Sequence, residues 1–74
     1  MARGAVHTVP KDGDWTNELE GHSAEGGTYP TKEEAVLAGR AVAKGLNVEH
    51  MIHDRDGEIH ARHNYGTRPR DVPG

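Results

Sequence analysis

Six of the 74 residues are histidine: His7, His22, His50, His53, His60 and His63. Imidazole is the side chain best suited to hold a transition metal or to carry a proton near neutral pH, so metal binding and proton transfer are the first chemistries to weigh. A zinc site needs three or four ligands converging at about 2.0–2.1 Å. His50 and His53 fall on one expected strand and point to opposite faces, because successive strand side chains alternate; His60 and His63 have the same spacing. A two-residue turn within Arg55–Gly57 sets His53 beside His60, with Glu58 or Asp54 as an acidic third group. Two imidazoles and one carboxylate make at best a weak site. The expectation is therefore strand histidines at the surface, with His53 in a structural hydrogen bond, and no metal or cofactor.

No nucleophile stands out. Ser23 is the only serine, and its neighbour His22 cannot orient it by adjacency alone. Glu18 and Glu20 share a strand face but lack an apolar pocket that could push their proton affinities apart. Gly26 and Gly27 precede a helix start without the Gly-Lys-Ser/Thr ending of a phosphate loop. A domain this small also encloses a pocket of about 300 Å³ only with difficulty. These residues predict no catalytic set and no small-molecule substrate.

The net charge is −3. Residues 1–34 hold three Lys/Arg against seven Asp/Glu, and residues 35–74 hold six against five. That balance lacks the basic footprint of a nucleic-acid protein. One local exception is Arg62, Arg68 and Arg70 around Tyr65, whose ring could stack on a base. Asp54, Asp56, Glu58 and Asp71 are interleaved with them, leaving residues 53–71 formally neutral. Nucleic acid is thus the alternative partner and not the favoured one.

The elements that must position these groups are legible in outline. Residues 5–10 are rich in β-branched residues, end at Pro10 and read as a strand. Asp12-Gly13 signals a hairpin turn, and residues 15–20 form the return strand. There Trp15, Asn17 and Leu19 share the face expected to be buried, with Thr16, Glu18 and Glu20 opposite. Residues 21–28 read as a glycine-rich mobile loop. Thr31-Lys32-Glu33-Glu34 is a capping box after Pro30, and a helix should run from about residue 32 to 44, with Gly45 as its stop. Ala35, Val36, Ala38, Gly39, Val42, Ala43 and Leu46 form its inner face, and Leu37 lies outside. Residues 47–54 and 58–63 give two more strands around a second Asp-Gly turn. The reading is α+β: a ββαββ order in which two β-hairpins form a sheet with one helix packed on one face. Residues 1–4 are expected to be a flexible N-terminus, 5–66 the single domain and 67–74 a flexible C-terminal tail.

Apolar residues make up only 32% of the chain, against roughly 45–50% in an average domain on a count that includes glycine. With no cysteine the thin core has no disulfide support, and association of copies is the natural remedy. One helix covers one sheet face, so a second copy could cover more. Leu37, Met51 and Tyr65 are the expected contacts. The opening residues lack the apolar run of a signal peptide, no stretch nears a membrane span, and the absence of cysteine suits a reducing compartment. The expected location is the cytoplasm.

Val6-His7-Thr8-Val9-Pro10, Trp15 after an Asp/Gly turn, and Thr31-Lys32-Glu33-Glu34-Ala35 carry a resemblance. So do His53-Asp54-Arg55-Asp56-Gly57-Glu58-Ile59 and Asn64-Tyr65-Gly66 before Pro69. In this order they resemble a short bacterial domain-of-unknown-function family, the one numbered 2188, over nearly all of Val6 to Pro69. The chain departs from the family's pattern at Thr67-Arg68, where an acidic residue or Asn is typical, and at His50, where an aliphatic residue is more usual. The resemblance implies a small ββαββ domain of bacteria or their phages and no established activity. The expectation from all of this is a non-enzymatic interaction or oligomerisation module, most simply a homodimer. The alternative is a small nucleic-acid-associated protein using Arg62, Tyr65, Arg68 and Arg70.

Overall fold

A two-residue hairpin of the type I′ form needs positive φ at both central positions. Asp12 and Gly13 supply it, with φ of 50° and 87°, the pattern of a type I′ turn. In the computed structural model, which describes residues 4–20 and 27–66, this turn joins β1 (Val6–Lys11) to β2 (Asp14–Leu19). The two pair antiparallel from Val6↔Leu19 to Lys11↔Asp14. A two-residue strand, β3 (Thr28–Tyr29), then pairs antiparallel with β2. The Thr16 hydroxyl ties the two by donating to the Gly27 carbonyl at 2.7 Å.

Helix α1 (Lys32–Leu46) starts at the capping box. The Glu34 amide donates to the Thr31 hydroxyl oxygen at 3.2 Å, which satisfies one of the amides that a helix start leaves without an intrahelical partner. The helix does not stop at Gly45. It continues to Leu46 and ends where Asn47 takes the left-handed conformation, φ 59°. The Asn47 amide donates to the Lys44 carbonyl and the Val48 amide to the Ala43 carbonyl, the paired bonds of a Schellman end. Asn tolerates that conformation better than most residues, so it can serve where glycine was expected.

After the helix, β4 (Glu49–His53) pairs parallel with β1, and β5 (Ile59–Asn64) returns antiparallel beside β4. The sheet order is β3-β2-β1-β4-β5. The α+β class holds. The sheet, however, has five strands and not the four of a ββαββ order, because Thr28 and Tyr29 form a strand where a loop was expected. Two residues cannot display an alternating pattern, which is why β3 has no sequence signal.

The helix lies over β1, β2, β3 and β4. Its buried residues are Ala35, Gly39 and Ala43, one turn apart and all small, so the backbone sits close to the strands. Val42, expected inside, is 46% exposed. With so narrow a stripe in contact, Val36 and Ala38 are only half-buried and Val42 stays in solvent. The apolar core is Val6, Ala43 and Val48 with Leu19, Leu46 and Tyr65 packed against it, and Trp15 is buried near the helix start.

Candidate functional site

Three polar side chains meet beneath the helix. Thr8 on β1, Asn17 on β2 and His50 on β4 point to the same sheet face, opposite Gly39, where an added Cβ would fall within 3 Å of an atom of each. The Thr8 hydroxyl donates to Asn17 Oδ1, and Asn17 Nδ2 donates to the Ala35 carbonyl at 2.8 Å. Thr8 Oγ1 lies 2.7 Å from His50 Nε2. Since the hydroxyl hydrogen is committed to Asn17, His50 must donate from Nε2. His50 is fully buried, and its Nδ1 has no hydrogen-bond partner among the described residues. Burial pushes the imidazole pKa down to about 4, helped by the nearby His63, Arg40 and His7, so the ring is neutral at physiological pH. The chain of bonds fixes the helix on the sheet and leaves His50 Nδ1 as its one buried group without a partner among the described residues.

The opposite face of the sheet carries a second polar set. His7 Nε2 lies 2.7 Å from Glu20 Oε2, His7 Nδ1 lies 2.8 Å from His53 Nε2, and His53 Nδ1 lies 2.9 Å from the Gly57 carbonyl. The bond from His7, then a backbone hydrogen bond from Ala5, hold the Glu20 carboxyl below its usual range. His53 therefore does make a structural hydrogen bond, but not beside His60. The β4–β5 turn is longer than two residues: His53 pairs with Ile59, and a register shift places a bulge at His60. That bulge turns His60 toward the helix side, where its Nδ1 is 3.4 Å from Lys32 Nζ. Among the described residues no group of three or more His, Cys, Asp or Glu is arranged to hold a metal ion.

The third feature is apolar. β5 is an edge strand, and of its residues only Ala61 is even half-buried. Between it and the helix runs a groove floored by Val36, Leu37, Ile52 and Ala61 and bordered by Lys32 and Arg40. Leu37 is 63% exposed.

The residues expected to make contacts are thus dispersed. Leu37 is in this groove, Met51 is half-buried on the opposite sheet face, and Tyr65 packs on the core with Lys44 Nζ 5.6 Å from its ring centre. Of the nucleic-acid set, Arg62 pairs with Met51 on the far face, away from Tyr65, and Arg68 and Arg70 lie outside the described residues. So do Ser23, His22, the first three residues, most of the expected 21–28 loop and the expected 67–74 tail. The groove and the His7–His53 contact were not legible in the sequence. The only hint of the latter was that both positions alternate onto a solvent-facing sheet side.

Among the described residues, no helix is long and apolar enough to cross a membrane. No curated protein and no solved structure matches the chain. The family described as "Uncharacterized protein conserved in bacteria (DUF2188)" matches residues 6–65, a span that takes in every element from β1 to β5 and both histidine sets. The chain belongs to that bacterial family.

Proposed function

We propose that this domain is a non-enzymatic interaction module that pairs with a second copy of itself through β5 and the groove β5 forms with α1. The observation that carries the reading is that a six-residue edge strand lies exposed beside an apolar groove in a domain with a thin core. An open strand edge is a template for another strand. A two-fold antiparallel contact uses the same patch twice and needs no other complement. The His60 bulge blunts only the start of the strand, since Ala61 to Asn64 keep regular register. The His7–His53 set supports a role without catalysis, because it ends on the Gly57 carbonyl and on its own Glu20.

Sedimentation velocity over a concentration series tests this. The wild type should dimerise by about 50 micromolar. Leu37→Glu, at an exposed position, should remain folded and monomeric. A wild type monomeric throughout that range overturns the reading. Salt-sensitive nucleic-acid binding by such a monomer would favour the alternative set around Arg62 and Tyr65.

A further inference from the structure

The contacts on the sheet face opposite the helix place an unusual demand on protons. Two groups at the ends of the chain, the Glu20 carboxylate and the Gly57 carbonyl, accept hydrogen bonds. Each outer nitrogen, His7 Nε2 and His53 Nδ1, must therefore donate. The inner contact between His7 Nδ1 and His53 Nε2 at 2.8 Å needs one hydrogen more. That makes three hydrogens on two rings, whereas two neutral imidazoles carry two. Glu20, whose carboxyl this same bond holds below its usual range, enters as the accepting carboxylate.

We propose that His7 and His53 share one excess proton and, with Glu20, form a pH-responsive clasp that joins β1, the end of β2, β4 and the β4–β5 turn. A fourth proton sets N–H against N–H between the rings and breaks the inner contact. Loss of the third leaves two nitrogen lone pairs facing each other, a lone pair facing the Glu20 carboxylate, or a lone pair facing the Gly57 carbonyl. The clasp is therefore complete only across a window of pH and opens on both sides of it.

The surroundings suit a single added charge. Glu18 pairs with His7 across β1 and β2, and Glu49 lies on the same face of β4. Arg62, paired with Met51, and Lys11 at the end of β1 oppose a second charge. In the turn, the Asp54 carboxylate accepts from the Asp56 and Glu58 amides, and Glu58 follows Gly57. From the helix side of the sheet the buried His50, which is neutral, adds no charge. The ring centres are 5.0 Å apart with planes tilted by 41°, so the rings meet through their nitrogens and not as a stack. The His7 side chain is 20% exposed and that of Glu20 52%, which gives solvent protons access.

The test is a double-mutant cycle with His7→Gln and His53→Gln, measured by urea unfolding from about pH 4 to about pH 9. The coupling between the two positions should pass through a maximum of about fivefold in the folding equilibrium constant, as for a hydrogen bond to a charged group in a partly exposed site, and fall on both sides. Imidazole ¹⁵N shifts of the wild type should show one added proton per ring pair at that maximum. A coupling flat or monotonic in pH overturns the proposal. Should the variants not fold, the wild-type shifts decide alone: two separated protonation steps support the clasp, and two neutral rings titrating independently overturn it.

Discussion

His50 Nε2 lies 2.7 Å from the Thr8 hydroxyl, and this contact settles how a buried imidazole is protonated. With the hydroxyl hydrogen committed to Asn17, only a ring bearing hydrogen on Nε2 fits, and Nδ1 is left as a buried lone pair without a partner among the described residues. A proton there would put a charge in the interior with nothing to meet it.

Acid should therefore destabilise this domain through His50. The folded pKa is lowered to about 4 from 6.5, so the unfolded chain takes up the proton first. Stability from this group is fully present above about pH 6.5 and is lost as pH falls from there to about 4. The loss attributable to it should be about 2 kcal/mol at pH 5 and about 3 kcal/mol at pH 4. Urea unfolding of the wild type and of His50→Gln across this range checks it. The variant starts less stable and should show a shallower acid decline; parallel curves would remove His50 as the cause.

Two helix glycines should respond to alanine with opposite signs. At Gly39 a Cβ would fall within 3 Å of Asn17 Oδ1, His50 Nε2 and Thr8 Oγ1. Overpacking of about 1–3 kcal/mol, added to the disturbed hydrogen bonds, outweighs a propensity gain of about 1 kcal/mol. Gly45 has open space around it and is helical, so its alanine variant should gain about 0.5–1 kcal/mol. Thermal melts of both variants read the comparison, and a stabilised Gly39→Ala would mean that the helix can lift off the polar triad without loss.

Trp15, 7% exposed, is the largest buried side chain among the described residues, the other buried apolar ones being Ala5, Val6, Ala35, Ala43, Val48 and Ile52. Trp15→Ala should cost about 3–5 kcal/mol, a large part of the 5–15 kcal/mol that ordinary domains possess. Circular dichroism and urea unfolding would show it, as a chain that is unfolded or nearly so; an undiminished midpoint would contradict the packing described.

What the sequence determined by itself is what short-range chemistry decides. The Thr31 hydroxyl sits three residues from the Glu34 amide, and Asp12-Gly13 needs only its own backbone, so the helix start and the first hairpin could be read directly. Alternation likewise put Trp15 and Leu19 on the buried side of their strand, because a one-residue slip would expose both. Where the local signal was ambiguous the reading shifted. Gly45 looked like a helix stop, yet Asn47 serves, since either residue can adopt the left-handed turn. A turn of unknown length could not say whether His53 meets His60.

The tertiary structure alone decided the rest. Thr8 and His50 are 42 residues apart in the chain, and His7 and His53 are 46 apart. Both contacts exist because β4 pairs parallel to β1, a strand choice made by how the helix crossover packs and not by any pattern within either strand. The same choice leaves β5 at the sheet edge with Leu37 beside it. Side-chain type states what each residue can do; which of them meet is set by closing the chain over long separations.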